Sequence, residues 1–173
     1  MQENRRKKTE AERAADIVRL AGGEIAGRTR FQKLAYLLEI TGVVSGFGFE
    51  YRHYGPYSEE LANATSAAKT IGTIVEVEHP TSWGGWYSTF STQEKHFDAP
   101  QSVHTFVEVA AKANPVVLEL AATAAFLALS GEADPWGETA NRKPDKARWV
   151  ESAKLLYEKL KAHDLPRSLP SIH

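Results

Sequence analysis

Apolar positions recur along this chain with two periods, and the switches between them divide it into elements. Behind Thr9, a capping residue, Ala14, Ile17, Val18 and Ala21 keep the spacing of one helix face, and Gly22-Gly23 ends this first helix. Phe31, Leu34, Ala35 and Leu38 stand at i, i+3, i+4 and i+7 and predict a second helix over 29–41. Residues 47–54 are rich in β-formers and run into Gly55-Pro56, which predicts a short strand closed by a tight turn. Ser58 then caps a third helix to residue 71, with Glu59 and Glu60 in its first turn and Leu61, Thr65, Ala68 and Ile71 as its buried side. Residues 73–78 and 86–92 alternate as strands do, and the proline and glycines between them make a hairpin with a long tip.

Beyond residue 100 the pattern is helical. A helix is expected over 102–112 and another over 114–130, where Asn114-Pro115 supplies a cap and a proline at the first helical position. The latter is apolar nearly all round, so other elements should surround it. Residues 134–143 read as a loop, and 144–162 as a last helix with Trp149, Ala153, Leu156 and Leu160 on one stripe. The fold class that follows is mainly α (α+β): a winged-helix-like part over 9–95 with a β-hairpin, extended by a C-terminal helical bundle over 101–163. These form one domain, 9–173, behind a basic arm over 1–8.

Composition narrows the function classes. The 173 residues include no cysteine, which excludes a disulfide framework, a thiolate metal site and a cysteine nucleophile, and suits a reducing cytoplasm. The most apolar segment, 116–129, contains Glu119 and is shorter than the ~20 residues that span a bilayer, so no membrane partner is expected. Net charge is -1, unevenly spread: residues 1–36 carry nine Lys/Arg against five Asp/Glu, residues 37–140 four against thirteen, and residues 141–173 eight against four. Nucleic acid could meet the basic ends, but the acidic middle would repel a phosphate backbone.

Two stretches are distinctive: Gly27-Arg28-Thr29-Arg30-Phe31-Gln32-Lys33-Leu34, and Tyr51-Arg52-His53-Tyr54-Gly55-Pro56-Tyr57-Ser58-Glu59-Glu60-Leu61. Together they resemble the YwgA-like and Panacea-type (SocA-like) families of small bacterial proteins, in which an "RxxLQKLxY" helix precedes a "YGPYSxEL" junction. Arg142-Lys143-Pro144 adds a weaker similarity. The Tyr-Gly-Pro turn is nearer the YwgA-like branch, since Panacea domains carry a turn closer to "HGP". The resemblance implies a winged-helix protein with added helices, and an antitoxin or adaptor that binds a partner protein.

Arg28, Arg30 and Lys33 are candidates for binding an anion or nucleic acid, because a helix N-terminus attracts anions and cations there would add to it; a solvated helix face is the alternative. Trp83 and Trp86 flank Gly84-Gly85 at the hairpin tip and are, with Tyr57, the candidates for partner binding; the tryptophans could equally pack against the C-terminal helices. A DNA-reading winged helix needs Arg, Lys, Asn or Gln on its third helix, which here offers Glu59, Glu60, Asn63 and Lys69. Nucleic acid is therefore disfavoured at the third helix. No glycine-rich phosphate loop or metal-ligand spacing is present, so neither catalysis nor a cofactor is expected. The expected function is a non-catalytic module binding a partner protein, a toxin or complex subunit. The alternatives are a transcription regulator binding DNA through its arm and second helix, and an accessory subunit of a multi-protein defence or mobile-element system.

Overall fold

A computed structural model describes residues 6–173. Helix α1 (Glu10–Leu20) begins in a capping box: Thr9 Oγ1 accepts from the Glu12 amide at 3.2 Å, and Glu12 Oε2 accepts from the Thr9 amide at 2.7 Å. A short strand, β1 (Glu24–Ala26), follows, and then α2 (Arg28–Ile40), whose buried residues include the expected Phe31, Leu34, Ala35 and Leu38. Strands β2 (Glu50–Arg52) and β3 (Gly55–Tyr57) precede α3 (Glu59–Ile71), capped by Ser58, whose hydroxyl accepts from the Leu61 amide at 3.1 Å. Strands β4 (Val75–Pro80) and β5 (Trp86–Ser91) complete an antiparallel sheet in the order β1-β5-β4, in register through Ile25↔Phe90 and Glu76↔Phe90. The succession of helix, strand, helix, hairpin, helix and hairpin is winged-helix-like, with β2-β3 where only a turn is usual between the second and third helices.

Helices α4 (Gln101–Lys112) and α5 (Pro115–Leu129) follow, the second started by Asn114 Oδ1, which accepts from the Val116 amide at 2.9 Å. Helix α5 is the axis of the molecule. Leu118, Leu120, Ala121, Ala122, Ala124 and Ala125 are fully buried, and α2, β3, α6 (Pro135–Arg142) and α7 (Val150–Lys161) pack around it. One hydrophobic cluster joins both halves, from Ile17 through Leu37 and Leu118 to Tyr157 and Leu169.

Five expectations need correction. Residues 47–54 do not form one strand: the chain reverses at His53-Tyr54, and Arg52 pairs with Gly55, whose φ of 86° is left-handed. Strand β1 was not anticipated; its three residues gain their geometry from β5, 65 positions away by the pairing Ile25↔Phe90. Ile71 is exposed, because the left-handed Gly72 ends α3 before that turn meets the core. Residues 134–143 are not a loop but contain α6, capped by Asp134 Oδ1 on the Gly137 amide at 3.0 Å and anchored by buried Trp136 edge-on to Tyr157. The expected last helix divides into a 3-10 segment (Pro144–Trp149) and α7. In the basic arm, Arg6 pairs with Glu12 and Lys8 with Asp16, while Arg5 lies outside the described residues.

Candidate functional site

The distinctive sequence stretches converge on the β2-β3 hairpin. The Gln32 side chain grips the chain at Ser58 with both ends of its amide, donating to the Ser58 carbonyl at 2.9 Å and accepting from the Ser58 amide at 2.8 Å. Lys33, one position on, donates to the Pro56 carbonyl at 2.6 Å from a residue only 1% exposed. Lys143 reaches the His53 carbonyl at 3.1 Å on the opposite arm of the hairpin. Beneath it, α5 presents the buried Glu119 carboxylate, 2.7 Å from Lys143 Nζ and 2.9 Å from Lys146 Nζ. Gly55 lies against Thr123 on the same helix, so closely that a Cβ would overlap the threonine hydroxyl.

Two lysines thus pair with one buried carboxylate, and Lys33 feels its charge without contacting it. Transfer of charges out of water is unfavourable unless they are paired, and here the pairing is incomplete. Burial presses the Lys33 ammonium down to about 8 from 10.5; Glu119 opposes the shift, and Lys143 and Lys146 add to it. Tyr54, exposed at the hairpin tip, covers the cluster with its ring 5.2 Å from Lys146 Nζ.

A groove of about 470 Å³ opens beside this hairpin, between α2, α3 and β4. Lys33 and Phe31 are in its floor with Leu61 and Phe90, and Tyr54, Tyr57, Arg28 and Lys69 are in its walls. Glu76, on β4, is its one carboxylate. Desolvation would raise the pKa of Glu76, but hydrogen bonds from Lys69, Ser88 and Arg28 outweigh it and hold the carboxyl at about 2. A second cavity of about 470 Å³ shares Arg28 and Thr29 with the first and leads on to Trp86, Tyr87 and Pro115.

The structure separates the three cations of α2. Arg28, at the rim, pairs with Glu76 at 2.8 Å and Glu78 at 3.4 Å. Arg30 turns the other way, onto the carbonyls of Ala26, Ala111 and Ala113, and ties α2 to the end of α4. Lys33 points inward to the hairpin. Positions i and i+2 on a helix are about 200° apart, so Arg28 and Arg30 could not form one patch. Trp83 and Trp86 do not pack against the C-terminal helices; they are 83% and 69% exposed at the end of the β4-β5 hairpin. Tyr57 is half-buried under the Arg52 guanidinium, 4.9 Å from its ring centroid.

Gln32, Lys69, Glu76, Glu119 and Lys146 entered no sequence-based proposal. Glu119 carried a signal, since a carboxylate inside an apolar helix requires a buried cation. Glu76 carried none. Among the described residues no group of three or more His, Asp or Glu is arranged to hold a metal ion, and no helix is long and apolar enough to cross a membrane. No protein-family model matches the chain, and no curated protein matches it.

Proposed function

We propose that this protein is a non-catalytic module of antitoxin or adaptor type that binds a partner protein, a toxin or the subunit of a larger complex, through its wing. The observation that carries the reading is the exposure of Trp83 and Trp86 at the hairpin tip, with half-exposed Tyr87, Val75 and Val77 on the face of the same two strands opposite to Trp86. Interfaces concentrate their energy in tryptophan, tyrosine and arginine. The resemblance to YwgA-like and Panacea-type proteins in residues 27–61 supports the same reading.

The test pairs binding with stability. Trp83→Ala and Trp86→Ala should each weaken capture of the partner from the native host, by roughly 2 kcal/mol or more at a true hot spot, with melting temperatures equal to wild type. Undiminished capture by the double variant would remove the wing from the interface. A transcription-regulator reading has less to stand on, because Arg30 and Lys33 are committed to carbonyls inside the fold and Arg28 to Glu76. A low-salt gel shift with duplex DNA should give no discrete complex.

A further inference from the structure

Strand β4 is an open edge of its sheet: β5 pairs with it on one side, and among the described residues no strand lies on the other. The pairing fixes which of its backbone groups are free. Bonds from the Gly27 amide to the Ser88 carbonyl at 2.7 Å, and from the Thr92 amide to the Gly23 carbonyl at 3.0 Å, show that Ser88, Phe90 and Thr92 turn their backbone groups to the β1 side. Tyr87, Thr89 and Ser91 therefore bond to β4, through His79, Val77 and Val75. Glu76 and Glu78, between these, point their N–H and C=O groups away from the sheet, and none of the four has a backbone partner among the described residues. Open edges are ordinarily blunted by lysine, proline, a bulge, a covering element or charges. β4 has no lysine and its six pairs run without a bulge, so its guards are Pro80, at one end, and the two glutamates. Those glutamates share the face of Ser88 and Phe90, and the opposite face carries half-exposed Val75 and Val77.

We infer that the partner protein completes this sheet, laying an extended segment along β4 whose backbone pairs with the free groups of Glu76 and Glu78. Apolar side chains of that segment lie beside Val75 and Val77, and no carboxylate stands opposite the glutamates. The inference rests on the module reading and adds how the partner is held. In strand addition main-chain bonds supply the affinity and alternate side chains the selectivity. The same strand leads into the tip that bears Trp83, so the edge and the tryptophan are parts of one surface. A second copy of the chain is the poorer occupant. The register that engages all four groups in both copies sets Glu76 of each against Glu78 of the other, and carboxylates directly opposite one another are destabilising. Glu78 is 61% exposed and has Arg28, at 3.4 Å, as its only counter-charge among the described residues.

The probe is a fluorescein-labelled peptide of three Val-Thr repeats with a lysine at each end, compared with a twin N-methylated on every valine and threonine. Anisotropy should show the twin binding about tenfold more weakly or worse, because it has lost the donors that strand pairing uses. Amide exchange followed by NMR should slow at Glu76 and Glu78 when the unmethylated peptide is added, with β1 unchanged. Glu78→Pro removes an outward N–H that the sheet does not use, at an edge position where proline is tolerated, so it should erase the preference with the fold intact. Glu78→Gln keeps the N–H and should keep the preference. Equal binding of the two peptides, slowed exchange confined to other elements, or an undiminished preference in folded Glu78→Pro would overturn the inference. Should that variant unfold, the exchange pattern of wild type decides. Sedimentation of wild type as a dimer that Glu78→Gln strengthens would assign the edge to a second copy and overturn it too. None of these outcomes bears on tryptophan-dependent capture, which tests the module reading separately.

Discussion

Lys33 shows how one side chain reverses an inference drawn from its neighbours. In sequence it follows Phe31 and Gln32 on an amphipathic helix and reads as part of a solvated cationic face. In the fold every residue of α2 from Phe31 to Leu38 is buried, because α5 and the β2-β3 hairpin cover the side that the polar residues occupy. Periodicity reports the preferred buried face and is silent about a second one. The position has a measurable consequence in pH. The native-state pKa of Lys33 is about 8 against 10.5 unfolded, so between those values the unfolded chain binds the proton that the native protein has lost. Stability gained at this site therefore rises with pH across the window, the reverse of a lysine that gains a salt bridge. Comparing wild type with Lys33→Met in urea melts removes contributions from other groups, including the buried tyrosines. The difference should move in favour of wild type by on the order of 3 kcal/mol between pH 8 and 10.5. The lost hydrogen bond to Pro56 adds an offset that does not vary with pH. A flat difference would mean that Lys33 keeps its charge in the fold.

At the scale of elements, the parts of the chain with strong local chemistry were legible and those defined by distant contacts were not. The Thr9, Ser58 and Asn114 caps start helices where the side chains say they should. Asp134-Pro135 is the same signal, but α6 is only eight residues long and its apolar anchor is a single Trp136, too little for a periodic pattern. Strand β1 has no local signal at all, and the β2-β3 hairpin was half seen: its first strand was read, but the turn was expected at Gly55-Pro56, which belong to the second strand, and lies at His53-Tyr54. That hairpin depends on Gly55 twice over, for its positive φ and for its contact with Thr123. Gly55→Ala should therefore cost on the order of 2–5 kcal/mol, adding overlap to backbone strain. Gly131 has a similar φ of 88° and open space around it, so Gly131→Ala should cost only about 1–2 kcal/mol. Thermal melts of the two variants separate the terms, and Thr123→Ala in the Gly55→Ala background should restore part of the loss. Equal losses from the two alanines would mean that the hairpin does not press on α5.

For the whole molecule, the sequence divides at about residue 100 into a winged-helix half and a helical half, and this division is topological without being energetic. The winged-helix order was readable because its helices and hairpin are separate periodic segments. The joining of the halves was not, since it depends on tertiary contacts: Tyr36 and Tyr51 each 5.9 Å from the Phe126 ring, Lys143 on the His53 carbonyl, and Arg30 on the end of α4. The chain beyond α7 adds another tie, with Tyr157 donating to the Pro170 carbonyl at 2.5 Å and Arg167 to the Glu39 carbonyl at 3.1 Å. Without α5, the face of α2 that bears Tyr36 would lose its cover, and the hairpin would keep only its contacts to Gln32 and Lys33. Burial of apolar area is the main favourable contribution to folding, and a half-sized unit buries a smaller fraction of its surface. A fragment of residues 1–99 is therefore expected to lack a cooperative melt and to show poorly dispersed amide NMR signals. Adding a separate fragment of residues 100–173 should restore dispersion in both, because the contacts between them are side-chain and hydrogen-bond contacts that need no continuous chain. A fragment 1–99 that melts cooperatively alone, near the temperature of the full chain, would mean that the wing and its helices are an independent domain and α5 an appendage to it.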